Sequence, residues 1–173
     1  MKILDKLYGF HTKLKNAFLL LAGIGVFSMM IYITADVLMR NFATALVGTF
    51  EVVSYYIMPI TILPSMCYAL SSGVMPRIVA VTGRLPHKAQ RFFAIVLPVL
   101  EIVFYIMMLC FSTKYAVSAT KDGLTFVAGT KSLPVWQMYY LPPLSYIMMT
   151  AESALILGKN LLTDNTTILY KND

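Results

Sequence analysis

Four long apolar runs leave this chain few options: Phe18 to Leu38, Val52 to Leu70, Phe92 to about Val117, and Val135 to Leu157. About 20 apolar residues are enough for a helix to cross the hydrocarbon core of a bilayer. Each run reaches that length, and together they use most of the 173 residues. Only 13% of the chain is charged and 58% is apolar, whereas soluble domains are about half apolar and about a quarter charged. Too little polar surface is present to cover a soluble enzyme. Disorder is excluded on the same grounds, because disordered segments are poor in apolar residues. The prediction is an all-α integral membrane protein with four transmembrane helices in a single membrane domain, 1–173, with short interfacial amphipathic segments.

The first run follows Lys2, Lys6, Lys13 and Lys15, as a cleaved signal would. It is longer than a signal core, and Asp36, Arg40 and Asn41 separate it from the small residues Ala43-Thr44-Ala45, so a retained helix is expected. Four spans put both termini and the 71–91 loop on one side. That side carries ten Lys and Arg and the other carries four (Arg40, Lys114, Lys121, Lys131), which places both termini in the cytoplasm. The formal charge of +6 therefore reflects membrane orientation, and no nucleic-acid partner is implied. Trp136, Tyr139 and Tyr140 form an aromatic belt at the outer mouth of the fourth span. In the 71–91 loop, Ile78, Val79, Val81 and Leu85 alternate with Arg77, Arg84 and Lys88, and Arg91 follows. This pattern suits a segment lying in the headgroup plane with its cations on lipid phosphates. Prolines 59, 64 and 98 fall inside runs and are expected to kink their helices.

Ionisable residues within spans are expensive and mark either a function or a fastening. Glu101 lies near the middle of the third run, either as a cation carboxylate or as a group that ties its helix to a neighbour. Asp36 and Arg40 stand four apart, on one helix face and close enough to pair. Glu51 opens the second span, where a helix N-terminus favours a carboxylate. Glu152 is expected near the inner interface with Lys159 close by, in a structural role. With Trp136, these residues are the candidates for contact with a partner. Cys67 and Cys110 lie inside apolar runs, which argues against a disulfide framework. His11 and His87 fall outside the runs, so axial ligands for a haem are missing. No P-loop, zinc-type Cys and His spacing, or convergent Ser, His and Asp set is present, and catalytic residues, metal ligands and cofactors are not expected in this chain. The sequon Asn165-Thr166-Thr167 is predicted cytoplasmic and unmodified.

Asp36-Val37-Leu38-Met39-Arg40, followed by Gly48 and Glu51, resembles the first outer turn of the small, Q-type membrane subunit of TRAP transporters (the DctQ-like family). Arg84-Leu85-Pro86 before the third run continues the resemblance. So do Leu133-Pro134-Val135-Trp136, Tyr139 and the proline pair 142–143 before the fourth, over roughly residues 30 to 160. Met75 and Val79 stand where the family often has a histidine and an acidic residue. The resemblance implies a scaffold subunit in a bacterial inner membrane that binds a large elevator-type subunit carrying the substrate and sodium sites. A periplasmic binding protein would deliver an organic anion, a carboxylate or a sulfonate. The reading from a different class is a self-contained, dimeric, cation-coupled carrier that uses Glu101.

Overall fold

The computed structural model describes residues 2–42, 46, 48–72 and 86–162. Four helices run alternately up and down: α1 (Lys2–Phe42), α2 (Thr49–Ser71), α3 (His87–Lys121) and α4 (Leu141–Leu162). Between α3 and α4 the chain makes a hairpin, β1 (Thr125–Ala128) and β2 (Lys131–Pro134), and then a 3-10 turn, Trp136–Tyr140. By length and composition, α1 from Lys6, α2 and α3 from Lys88 can each cross a membrane. The first three predicted runs lie inside longer helices. Two boundaries differ in kind. The first helix continues back through the lysine-rich N-terminus, and α4 starts at Leu141, because Val135 closes the hairpin and the 3-10 turn intervenes. The 71–91 interfacial segment lies mostly outside the described residues, with Arg77, Arg84, Met75 and Val79; positions 87–91 already belong to α3. The triplet 43–45 and the sequon 165–167 are also outside the described residues.

One inward stripe explains how α1 packs. Tyr8, His11, Lys15, Phe18, Ala22, Gly25, Met29, Tyr32 and Asp36 are buried or half-buried, and they alternate in steps of three and four. That 3.5-residue repeat favours a shallow, left-handed crossing, as in coiled coils. Much of the rest of α1 is exposed and apolar, including Leu20, Ile24, Phe27 and Met30. The tightest point is Gly25, where an added Cβ would lie 3.3 Å from Thr61 Cβ on α2 and closer still to its hydroxyl. That hydroxyl is engaged on Ile57 O at 2.7 Å and cannot simply swing away. Gly25→Ala is expected to destabilise the chain in detergent by about 1–3 kcal/mol through overpacking. Adding Thr61→Ala should recover most of the loss; equal losses in single and double variants would show that this contact does not limit the packing.

The prolines are handled locally. A π-helical turn, Val53–Ile57, ends two residues before Pro59, and Met58 N–H reaches back five residues to Val53 O. A widened turn is one way a helix carries a residue with no N–H. Pro98 frees the carbonyl of Ala94, four residues earlier, and Asn160 Nδ2 on α4 donates to that oxygen at 2.9 Å. Asn160 is buried, and Pro98 is among the most buried side chains. Asn160→Leu should therefore cost about 1–3 kcal/mol, the penalty for an unsatisfied buried carbonyl. In a Pro98→Ala background the carbonyl regains a backbone donor, and the same substitution should cost clearly less. Denaturant titrations of the four variants measure the coupling.

α4 is the hub. Ser145 Oγ donates to Leu63 O at 2.6 Å, and Cys67 Sγ to Met148 O at 3.4 Å, tying α4 to α2. Ser153 Oγ donates to Glu101 Oε2 at 2.9 Å, tying it to α3. Leu70, Tyr105, Met148 and Met149 close the apolar core around these bonds.

Candidate functional site

Two polar sites lie at opposite ends of the uncharged stretch of α1. Asn16 to Ala35 carries no charge and spans about 30 Å at ~1.5 Å per residue, which matches a hydrocarbon core. At its start, Lys15 Nζ donates to Glu152 Oε2 at 2.8 Å. Both side chains are buried, at 2% and 0% exposure. His11 Nδ1 lies 3.0 Å from the same oxygen, off the line of a hydrogen bond. The Lys15 ammonium also sits 4.8 Å from the centre of the Tyr8 ring, a cation–π placement. An ion pair this dry survives only when its charges are matched at close range. It fixes the register of α1 against α4.

This arrangement adds to two expectations and corrects a third. Glu152 pairs with Lys15, 137 residues away, a partner the sequence did not offer. His11 precedes the apolar run, as read, and is buried within the continuous helix α1. Glu101 is not alone at its depth. It bonds Ser153, next to Glu152, so a second carboxylate lies at its level. The geometry is that of a group fastening α3 to α4.

At the other end of the stretch, Asp36 and Arg40 pair as their spacing requires, with Nε and Nη2 at 3.0 and 2.9 Å from Oδ2. Asp36 also does something the spacing could not reveal. Its Oδ1 accepts the Leu46 N–H at 3.0 Å and so holds the connection into α2. Gly48 follows with φ 87, and Glu51 lies half-buried in the first turn of α2. The hairpin is seated on this corner. Gly129, at φ 65, opens its two-residue turn, where a two-residue loop needs positive φ. Phe126 and Ala128 face inward with Val135, against Val52, Tyr56 and Tyr139. The Phe126 ring lies 4.8 Å from Tyr55 and 5.4 Å from Tyr56, and the Tyr56 hydroxyl donates to Pro134 O. The aromatic belt occupies the same end. Trp136 is half-buried at the head of the 3-10 turn, Tyr139 packs edge-on to Tyr115 at 4.9 Å, and Tyr140 shares a 2.9 Å hydrogen bond with Thr120. Lys88 and Arg91 are exposed near the start of α3; Arg77 and Arg84 lie outside the described residues.

Sequence reasoning missed the hairpin and the Lys15, His11 and Glu152 junction. The alternation Thr125-Phe126-Val127-Ala128 before Gly129 was a usable signal for the hairpin. For the junction, the only local signal was the spacing of Tyr8, His11, Lys15 and Phe18 on one helix face.

Long apolar helices with exposed apolar faces, tied inwardly by sparse polar bonds, define a small multi-pass membrane protein. The chain belongs to the DctQ component family of the tripartite ATP-independent periplasmic transporters, whose family model matches residues 29–161. It is thus a small transporter component. No curated protein and no solved structure matches it.

Proposed function

We propose that this chain is the small scaffold subunit of a sodium-coupled TRAP transporter for an organic anion. In this reading four helices span the bacterial inner membrane, α4 included, with both termini in the cytoplasm. The chain binds a large elevator-type subunit that carries the substrate and sodium sites, and a periplasmic protein delivers the substrate. The family match carries the reading. The use of the interior polar groups supports it: Lys15 with Glu152, Glu101 with Ser153, Asn160 with Ala94 and Ser145 with Leu63 all join helix to helix. Such bonds suit a rigid wall. The exposed apolar sides of α1 and α3 suit lipid and a membrane-embedded partner.

Co-expressed with the large subunit from its own operon, the chain should copurify in mild detergent. Proteoliposomes should then take up substrate only when both subunits, the binding protein and a sodium gradient are supplied. Uptake by vesicles holding this chain alone would overturn the proposal. Such uptake, lost on Glu101→Gln while assembly persists, would instead establish the dimeric carrier. The intramolecular Glu101–Ser153 bond favours the scaffold.

A further inference from the structure

The helix-to-helix bonds leave a few buried polar atoms over, and these gather where α1, α2 and α4 meet. One ring nitrogen of His11, the Cys67 sulfur and one carboxylate oxygen of Glu152 lie within 4.8 Å of one another. All three residues are buried, with exposures of 9%, 1% and 0%. Both His11 nitrogens and Glu152 Oε1 have no hydrogen-bond partner among the described residues. Buried orphan atoms are rare and call for an occupant. Here the orphans offer an imidazole nitrogen and a carboxylate oxygen beside a thiol.

We propose that this junction binds a divalent transition metal of the zinc class through His11, Cys67 and Glu152 Oε1. A mixed nitrogen, sulfur and oxygen donor set suits zinc and its neighbours, while calcium and magnesium require mostly oxygen. On binding, the Cys67 thiol exchanges its proton for the metal, forming one S–metal bond and releasing one H⁺ to solvent. The Met148 carbonyl loses that thiol donor in the exchange. Lys15 does not have to leave. Its ammonium holds Oε2, the other carboxylate oxygen, and a hydrogen bond of this kind is how proteins orient a ligating carboxylate. With neutral imidazole, thiolate, carboxylate and ammonium, the loaded junction carries a single net positive charge. Three protein ligands leave a fourth position for water. The site fastens three helices together and is independent of the transport reading, which holds or fails without it.

The full-length chain, purified in mild detergent, stripped with chelator and desalted, is titrated with Zn²⁺ and separately with Co²⁺. One equivalent should bind, and cobalt should give a near-ultraviolet thiolate-to-metal charge-transfer band. Cys67→Ser should abolish the band, and His11→Gln should weaken zinc binding by about tenfold or more, on the scale by which metal sites respond to lost partners. If either variant fails to fold, the wild-type protein still decides the matter: zinc should slow alkylation of Cys67 and leave that of exposed Cys110 unchanged. Absence of stoichiometric zinc binding, a cobalt band that survives Cys67→Ser, or zinc without effect on Cys67 alkylation would each overturn the proposal.

Discussion

Lys15→Met is expected to be the most damaging single substitution on the inner face of α1. It leaves the Glu152 carboxylate at 0% exposure without its ammonium. Removing one partner of a buried ion pair costs about 3–5 kcal/mol, because the remaining charge is stranded in a low dielectric. A denaturant titration in detergent should show that loss, together with faster proteolysis of the N-terminal part of α1. The companion variant matters more than the single one. Lys15→Met with Glu152→Met removes both charges and fills the space with apolar volume, and such replacements are often neutral or better. Recovery of stability would show that the pair specifies register more than it stabilises. If the single variant is as stable as wild type, Glu152 has another source of compensation and the account of α1 docking is wrong.

Gly48→Val is the second large effect, at the opposite end of the molecule. At φ 87 a branched residue is strained, by about 1–2 kcal/mol or more. Space is also lacking, since an added Cβ would lie 2.8 Å from the Ala128 carbonyl carbon and its Cβ. One of those atoms is backbone, so the hairpin itself has to lift. Lifting it takes Phe126 off Tyr55 and Tyr56 and breaks the Tyr56 bond to Pro134. The variant should lose several degrees of thermal stability and expose the hairpin loop to protease, while the Lys15–Glu152 end stays protected. Gly129→Ala, which tests the turn alone, should cost less. Equal damage from the two would mean that backbone strain, and not the seat on Ala128, is what Gly48 relieves.

These two sites differ in how visible they were beforehand. The helices follow from composition alone, since runs of about 20 apolar residues have few alternatives. Asp36 with Arg40 was readable because a helix converts a spacing of four into a contact. Lys15 with Glu152 was not, because no local rule links residues 137 positions apart and the lysines of the N-terminus looked like an orientation signal. Glu101 was read as having no acidic residue at its depth for a related reason. Its shared level with Glu152 shows only through the bond to Ser153 on α4, which no local spacing announces. The hairpin was overlooked because its strands are four residues each and sit between much stronger helical signals. Asn160 is the subtler lesson: Pro98 announced a freed carbonyl, but only the packing of α4 on α3 revealed the side chain that answers it.

The position of α4 in the chain has a consequence for biosynthesis. It leaves the ribosome after α1, α2 and α3, and it holds the groups that bond Lys15, the Ala94 carbonyl and the Leu63 carbonyl. Until it arrives, a nascent chain of three helices carries an uncompensated ammonium and the bare Ala94 carbonyl within or beside lipid. Such a fragment is poorly suited to persist and well suited to capture by membrane quality control. The fourth helix thereby completes the polar pairing that the first three begin.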